Sequence, residues 1–326
     1  MFDQLKVVAT VISGENRGEK VFYGQEKILY QSPKSQLLVE NIDKIKEITK
    51  TGLIKIGEQD VFCERVEKDK KMVVCGCGHV SMPVISMAKE IGFEVTAIDD
   101  RPFFAQNARE RGADEVYCED FLTALERISG DDTIFFVIVT RGHRYDLECL
   151  EAIAKKPHAY IGMIGSKRRG KLVKQIAIEN GAPKEVIEKL YTPIGLDIGG
   201  ETPAEIAISI LAQIIQVKSQ MPQSGYTREI QKTLDGQREK MVMATIISRK
   251  GSAPRAIGTK MLIAGDGKCV GTIGGGCAES EIIRKAQRML QIDMAPCRFF
   301  VDMTGEDAEE EGMACGGTIE VFLEKI

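Results

Sequence analysis

The chain has 326 residues, 43% hydrophobic and 28% charged, with a formal net charge of −4. That length exceeds what one core uses, so two or three globular domains are expected. The charge leaves no basic footprint for nucleic acid, no Lys/Arg block marks a membrane surface, and the longest apolar run, 134–139, cannot span a bilayer. The N-terminus, with Asp3 and a short apolar run at 7–12, does not read as a secretory signal. Nine cysteines, odd in number and without a CxxC pair, speak against a disulfide framework and for reduced thiols in the cytoplasm.

Residues up to Val66 read as short strands and turns, with β-branched or alternating stretches at 7–12, 21–23, 28–30, 53–56 and 60–66. Two of these recur at the far end. Val7-Val-Ala-Thr-Val-Ile-Ser13 matches Val242-Met-Ala-Thr-Ile-Ile-Ser248, and Asp60-Val-Phe-Cys-Glu-Arg-Val66 matches Glu320-Val-Phe-Leu-Glu-Lys-Ile326. Read as an internal repeat, 1–68 is a degenerate copy of a β-rich domain at 240–326, serving packing or an oligomer contact. Chance similarity of two β-rich segments is the alternative.

From Lys71 strands alternate with helices, the pattern of a parallel sheet with right-handed crossovers. The strand 72–75 enters Gly76-Cys-Gly78-His79-Val-Ser81, a helix follows over 82–91, and a second strand over 93–98 ends at Asp99-Asp100. This is a dinucleotide fingerprint with serine in the third glycine position. Gly76, Gly78 and His79 form the turn beneath a helix N-terminus, and Asp99 is the acid for ribose hydroxyls. NAD(P) or FAD is the ligand class it suits. Two further features fall at strand ends: Thr140-Arg-Gly-His143-Arg-Tyr-Asp146, and Gly165-Ser166-Lys-Arg-Arg169, which suits a phosphate. His143 is either a general acid/base or ligand, or a loop histidine capping a helix. Cys75, Cys77 and His79 lack metal-site spacing. Thr202, Pro203 and Glu205 open a capping-box helix running to about 217, apolar nearly all round and expected to be buried. The Rossmann-like domain is thus 69–218, followed by a polar linker over 219–239 with room for a helical turn.

The last domain carries Gly251-Ser252-Ala-Pro-Arg255, Gly271-Thr-Ile-Gly274-Gly275-Gly276-Cys277-Ala-Glu279 and Cys315-Gly316-Gly317. Glycines let the backbone approach an anion, Arg255 can fork onto phosphate, and a thiolate is a soft metal ligand or a sulfur carrier. Any one of these turns has an ordinary hairpin reading. Together they point to a site for an anionic, sulfur-bearing or metal-bearing ligand.

These residues resemble the xanthine dehydrogenase accessory protein family (the XdhC/CoxI family). The resemblance rests on Gly-Ser-x-Pro-Arg at 251–255, Gly-x-Ile-Gly-Gly-Gly at 271–276 and Cys-Gly-Gly at 315–317. It rests also on Gly-x-Gly-His-Val at 76–80, Asp-Asp-Arg at 99–101, Tyr-Ile-Gly-x-Ile-Gly-Ser at 160–166 and Pro-Ile-Gly-Leu-Asp-Ile-Gly at 193–199. The usual order in that family puts the glycine/cysteine domain first; here the intact copy is last. The expected fold is α/β: a Rossmann-like doubly wound parallel sheet flanked by two small β-rich (α+β) domains related as an internal repeat. The resemblance implies maturation of a molybdenum hydroxylase: binding the molybdenum cofactor as cargo during sulfuration and delivering it to the apo-enzyme, with a cysteine desulfurase as further partner. Within that reading Gly274, Gly275, Gly276 and Arg255 hold phosphate or oxo anions, with Gly251, Ser252, Gly316 and Gly317 around them. Cys315 handles sulfur, and Cys277 supports it as a second molybdenum contact. An NAD(P)- or FAD-dependent oxidoreductase with His143 as acid/base is the competing reading, and a scaffold with vestigial motifs a third. Self-association is expected through an exposed edge at 318–323.

Overall fold

The structure is a computed structural model that describes residues 4–221, 223–236, 239–252, 255–274, 276–302 and 317–326. The chain forms two compact units, Met1–Lys68 with Pro222–Ile326, and Asp69–Met221. Among the described residues no helix is long and apolar enough to cross a membrane.

The N-terminal half of the first unit comprises β1 (Val7–Val11), β2 (Lys20–Gly24), β3 (Lys27–Gln31), α1 (Gln36–Glu40), α2 (Ile42–Lys46), β4 (Gly52–Ile56) and β5 (Gln59–Arg65). They form an antiparallel sheet in the order β3-β2-β1-β5-β4. β1 is buried along its whole length because both its faces are covered. Val7, Ala9 and Val11 pack with Leu38 and Ile45 of the two helices, while Val8 and Ile12 point the other way into separate clusters.

The second unit alternates β6 (Lys71–Cys75), α3 (Ser81–Glu90), β7 (Glu94–Ile98), α4 (Pro102–Glu110), β8 (Glu115–Tyr117), α5 (Phe121–Arg127), β9 (Ile134–Ile138), α6 (His143–Ile153), β10 (Tyr160–Met163), α7 (Lys167–Glu179), α8 (Lys184–Glu188) and α9 (Pro203–Ser219). Its strands are all parallel in the order β10-β9-β6-β7-β8. A core covers each face: Phe136, Leu150 and Met163 belong to one, Phe135, Val84 and Ile210 to the other. The strand order reverses between β6 and β9, which opens a crevice at their carboxyl ends. The capping box of α9 forms as expected, Thr202 Oγ1 accepting from Glu205 N at 3.3 Å and Glu205 Oε2 from Thr202 N at 2.9 Å. The helix is not buried all round, however. Ala207, Ile210, Leu211 and Ile214 face the core, whereas Ile208 and Ile215 stay 51% and 47% exposed, because only one side of the helix meets sheet and α3.

The C-terminal half of the first unit begins with α10 (Arg228–Gly236) and continues with β11 (Met241–Gly251), β12 (Lys260–Ala264), β13 (Cys269–Gly271), α11 (Gly276–Gln291), β14 (Cys297–Asp302) and β15 (Gly317–Lys325). Where the polar composition of 219–239 suggests a linker, α10 forms and buries Ile230 together with Tyr226. The sheet order is β13-β12-β11-β15-β14. β15 lies between β11 and β14, so 318–323 is not an edge and offers no template for pairing with another chain.

The two antiparallel sheets have one topology and one register. Thr10 pairs with Lys20 and Phe62, and Thr245 with Lys260 and Phe322; Val8 pairs with Glu64, and Met243 with Glu324. The internal repeat is therefore structural, and the fold class is the one the sequence indicates.

Candidate functional site

Strand directions decide where the three glycine turns go. β11 runs outward to Gly251, whose Cα lies opposite Gly317 at the start of antiparallel β15. β13 runs the same way as β11 and ends at Gly271, opposite Met261. β14 ends at Asp302, opposite Thr318. All three turns thus leave the same end of one sheet. Gly251 (φ 70°) and Gly271 (φ 80°) hold left-handed conformations there, and a Cβ on Gly271 would stand 2.7 Å from the Lys260 carbonyl oxygen. Arg255 is exposed, its carbonyl accepting from Arg249 Nη1 at 3.2 Å. Ser252 is exposed as well.

The turn at 271–274 is pinned by a residue that sequence reasoning did not single out. Glu279, in the first turn of α11, accepts from the Thr272 hydroxyl and from the N–H groups of Ile273 at 3.0 Å and Gly274 at 3.2 Å. One oxygen gathers all three donors, so the Gly274 amide is already occupied by the protein's own carboxylate. Gly276 and Cys277 lie in the first turn of α11. Gly275, Cys315 and Gly316 lie outside the described residues.

In the second unit, the carboxyl ends of β6 and β9 lead into the Gly76 turn and into the segment 140–146, a short loop and the first turn of α6. The two fingerprint glycines differ in kind. Gly76 (φ 98°) is jammed against the neighbouring strand end, where a Cβ would sit 2.5 Å from the Val139 carbonyl oxygen, while a Cβ on Gly78 meets nothing within 4 Å. Gly76 is required by packing; Gly78 faces open space, with exposed His79 beside it. Ser81 turns its hydroxyl back onto the Gly76 carbonyl at 2.6 Å, closing the turn as a third glycine would not.

Asp99 stands at the end of β7, but its carboxylate is fully buried. It accepts from Cys77 N–H at 2.8 Å and from Arg101 Nε and Nη2 at 2.8 and 2.9 Å. Its oxygens are thus committed to shaping the glycine turn, and the neighbouring Cys77 thiol is pushed up to about 12 by burial and by that charge, which leaves it inert. Asp100 is the more exposed acid, bound bidentately by Arg141, with Nη2 at 2.7 Å. This pair runs from the end of β9 to the end of β7, on either side of β6. The Arg141 guanidinium holds the Asp100 carboxyl below the usual carboxylate range. A depressed carboxyl contributes stability above its unfolded value and loses it as pH falls, so the tie holds at neutral pH and releases below about pH 4. Hydrogen-exchange protection across 140–146, measured against the intrinsic rate at each pH, is expected to fall over that acid limb, and Asp100→Asn to show low protection at every pH.

His143 is exposed at the first position of α6. Behind it Asp146 is fully buried, accepts from the Thr140 hydroxyl and pairs with Arg169. Burial pushes the Asp146 carboxyl up against both partners. Arg169 leaves its buried Nε without a hydrogen-bond partner, and Ser166 caps α7 by accepting from Arg169 N–H at 3.2 Å. The Pro-Ile-Gly stretch proves to be scaffolding: Tyr191 pairs alongside Gly162, and Gln213 accepts from Gly195 N–H at 3.0 Å and from the Tyr160 hydroxyl at 2.6 Å. Among the described residues no three His, Cys, Asp or Glu side chains gather to hold a metal ion.

Residues 72–214 match the family model of the XdhC Rossmann domain, and residues 234–295 that of the XdhC and CoxI family, together more than half of the chain. Over 167 residues the chain is 32% identical to the uncharacterized protein YqeB of Escherichia coli K12, covering 51% of this chain and 30% of that protein. Over 165 residues it is 27% identical to a probable xanthine dehydrogenase subunit of Bacillus subtilis 168, covering 50% of this chain and 47% of that one. The chain therefore spans less than half the length of either relative. A crystal structure titled as a xanthine dehydrogenase from Bacillus halodurans superposes with a TM-score of 0.55 at 27% identity, over 67% of this chain and 61% of that one. With the Rossmann match lying ahead of the glycine-rich match, the chain belongs to the XdhC and CoxI family.

Proposed function

We propose that the chain acts in the maturation of a molybdenum hydroxylase of the xanthine dehydrogenase type. It holds the molybdenum cofactor as cargo at the glycine end of the C-terminal sheet during sulfuration, then delivers it to the apo-enzyme. Membership of the family supports the general role. The observation that carries the site is that the turns bearing Gly251, Gly271 and Gly317 leave one end of one sheet. With the Gly274 amide taken by Glu279, the cargo's phosphate falls to the amides of Gly275 and Gly276 and to Arg255, a guanidinium that can grip it bidentately. Gly251, Ser252, Gly316 and Gly317 leave room for close approach. Cys315 carries the sulfur, supplied by a cysteine desulfurase, and Cys277 supports it. In cells, Cys315→Ala is expected to lower the sulfido-active fraction of the target hydroxylase at least tenfold and Cys277→Ala less; full activity with both changes would remove the thiols from the account.

A second reading, an NAD(P)- or FAD-dependent oxidoreductase with His143 as acid/base, draws support from the crevice at the strand-order reversal and from the open space at Gly78. The two glycines separate its folding and binding requirements. Gly76→Ala, which puts a side chain against the Val139 carbonyl at positive φ, is expected to cost about 1–3 kcal/mol or more. Gly78→Ala is expected to leave the melting temperature nearly unchanged and to weaken any nucleotide at least tenfold, read by calorimetry with NAD(P)H and FAD.

A further inference from the structure

We infer that the N-terminal half stands in for a second copy of the C-terminal half, covering in cis the face through which another such domain would pack. The contacts between the halves are reciprocal. Lys20 of β2 pairs with Glu324 of β15 at 2.6 Å, and Lys260 of β12 pairs with Glu64 of β5 at 2.8 Å. Lys20 and Lys260 occupy the same ladder position, opposite Thr10 and Thr245; Glu64 and Glu324 occupy another, opposite Val8 and Met243. Ile12 and Phe62 also close against Ile247 and Phe322, two residues and their counterparts in the repeat. A contact of i with j matched by one of j with i is what a two-fold axis between identical copies generates. Here the two copies are halves of one chain.

What the halves share and what they do not share divide along the same line. The ion pairs and the apolar quartet are present in both. The N-terminal half has Ser32–Ser35 and two five-residue helices where the C-terminal half has its glycine turn and the sixteen-residue α11. Between β4 and β5 it has only Gly57 and Glu58, where the other half has the excursion from Asp302 to Gly317. The N-terminal half therefore keeps the face and lacks the site. Without it, Lys260 and Glu324 would lie unpaired on an apolar surface with Met243, Ile247, Leu262 and Phe322, an unfavourable state for a folded domain. Two C-terminal halves would satisfy each other with the same two pairs, at the cost of two glycine ends per interface. The chain closes the interface alone and carries one glycine/cysteine end.

Charge reversal distinguishes a face closed in cis from one joining separate chains. In the full chain, Lys260→Glu and Glu64→Lys alone are each expected to lower the thermal midpoint by about 10 °C. Both together in one chain are expected to recover at least half of that loss. Co-expressing the two single variants under different tags is expected to give no recovery and no mixed species. Recovery as a mixed dimer would overturn the inference, as would single variants as stable as the parent. Should reversed charges prevent folding, a carbodiimide cross-link between Lys20 and Glu324 in a co-refolded mixture of ordinary and ¹⁵N-labelled parent chain reads the same point. Light–light and heavy–heavy products alone support the inference; light–heavy products overturn it.

Discussion

Replacing Lys260 by methionine is expected to destabilise the full chain by about 3–5 kcal/mol, one of the largest effects available to a single side chain outside the parallel sheet. The Lys260 side chain is 1% exposed and that of its partner Glu64 5%. The ammonium group donates to Glu64 and, at 2.9 Å, to the Thr245 hydroxyl, and it lies 4.5 Å from the centre of the Tyr226 ring. Burial acts on both members of the pair, pushing the Glu64 carboxyl up and the Lys260 ammonium down, and each partner's charge opposes that push in the other. Removing the cation strands a buried carboxylate; removing both is a different case. Lys260→Met with Glu64→Leu takes away the charge and its desolvation together, and is expected to cost only about 1–2 kcal/mol, chiefly through the Thr245 hydroxyl left without its partner. Urea unfolding of the three chains tests this: a double variant as unstable as the single would mean that shape, not charge, fixes the face.

The second large effect is expected at Glu279. One of its oxygens takes the Thr272 hydroxyl and two main-chain amides, so Glu279→Ala leaves the Thr272 hydroxyl and the Ile273 amide without this acceptor and the Gly274 amide with only Thr272 Oγ1 at 3.3 Å, and is expected to cost about 1–3 kcal/mol. The functional loss is expected to be larger than the stability loss. The 271–274 turn sets the direction in which the chain enters Gly275 and α11, and a cradle of main-chain amides works only when its turn is fixed beforehand. Molybdenum recovered with the purified variant is expected to fall at least tenfold. Glu279→Gln keeps a carbonyl acceptor but no charge, and is expected to fall between the two. Parent-like molybdenum content in Glu279→Ala would detach the turn from the cargo.

Much of this architecture was legible in the sequence because it depends on local pattern. The β-branched run at 7–13 and its echo at 242–248 declared the repeat, since one register places the same side chains on the same face in both halves. The Gly76 turn was legible through a glycine that steric contact demands. Direction was not. Asp99 sits at the expected strand end, yet nothing in its position along the chain tells that its oxygens turn inward to Cys77 N–H and Arg101. Nothing local to Lys20 or Lys260 announces its ion pair, because the acid partners lie 304 and 196 residues away in sequence, on the other half of the repeat. Glu279 stood inside the glycine motif, but a carboxylate in a first helical turn has an ordinary explanation in the helix dipole, which hid its role as the pin of the turn. The helix α10 was concealed by polar composition, its contact with the core resting on little more than Ile230 and Leu234 four residues apart.

Whether the glycine end of the C-terminal sheet holds a molybdenum–dithiolene cargo is tested most directly by purifying the full chain from cells that make molybdenum cofactor. Metal and pterin are measured together, beside an Arg255→Ala variant. Molybdenum and pterin are expected in near-equal amounts on the parent chain, with at least a tenfold loss of both on the variant. A parent chain that carries neither, or a variant that carries as much as the parent, would contradict the proposed role.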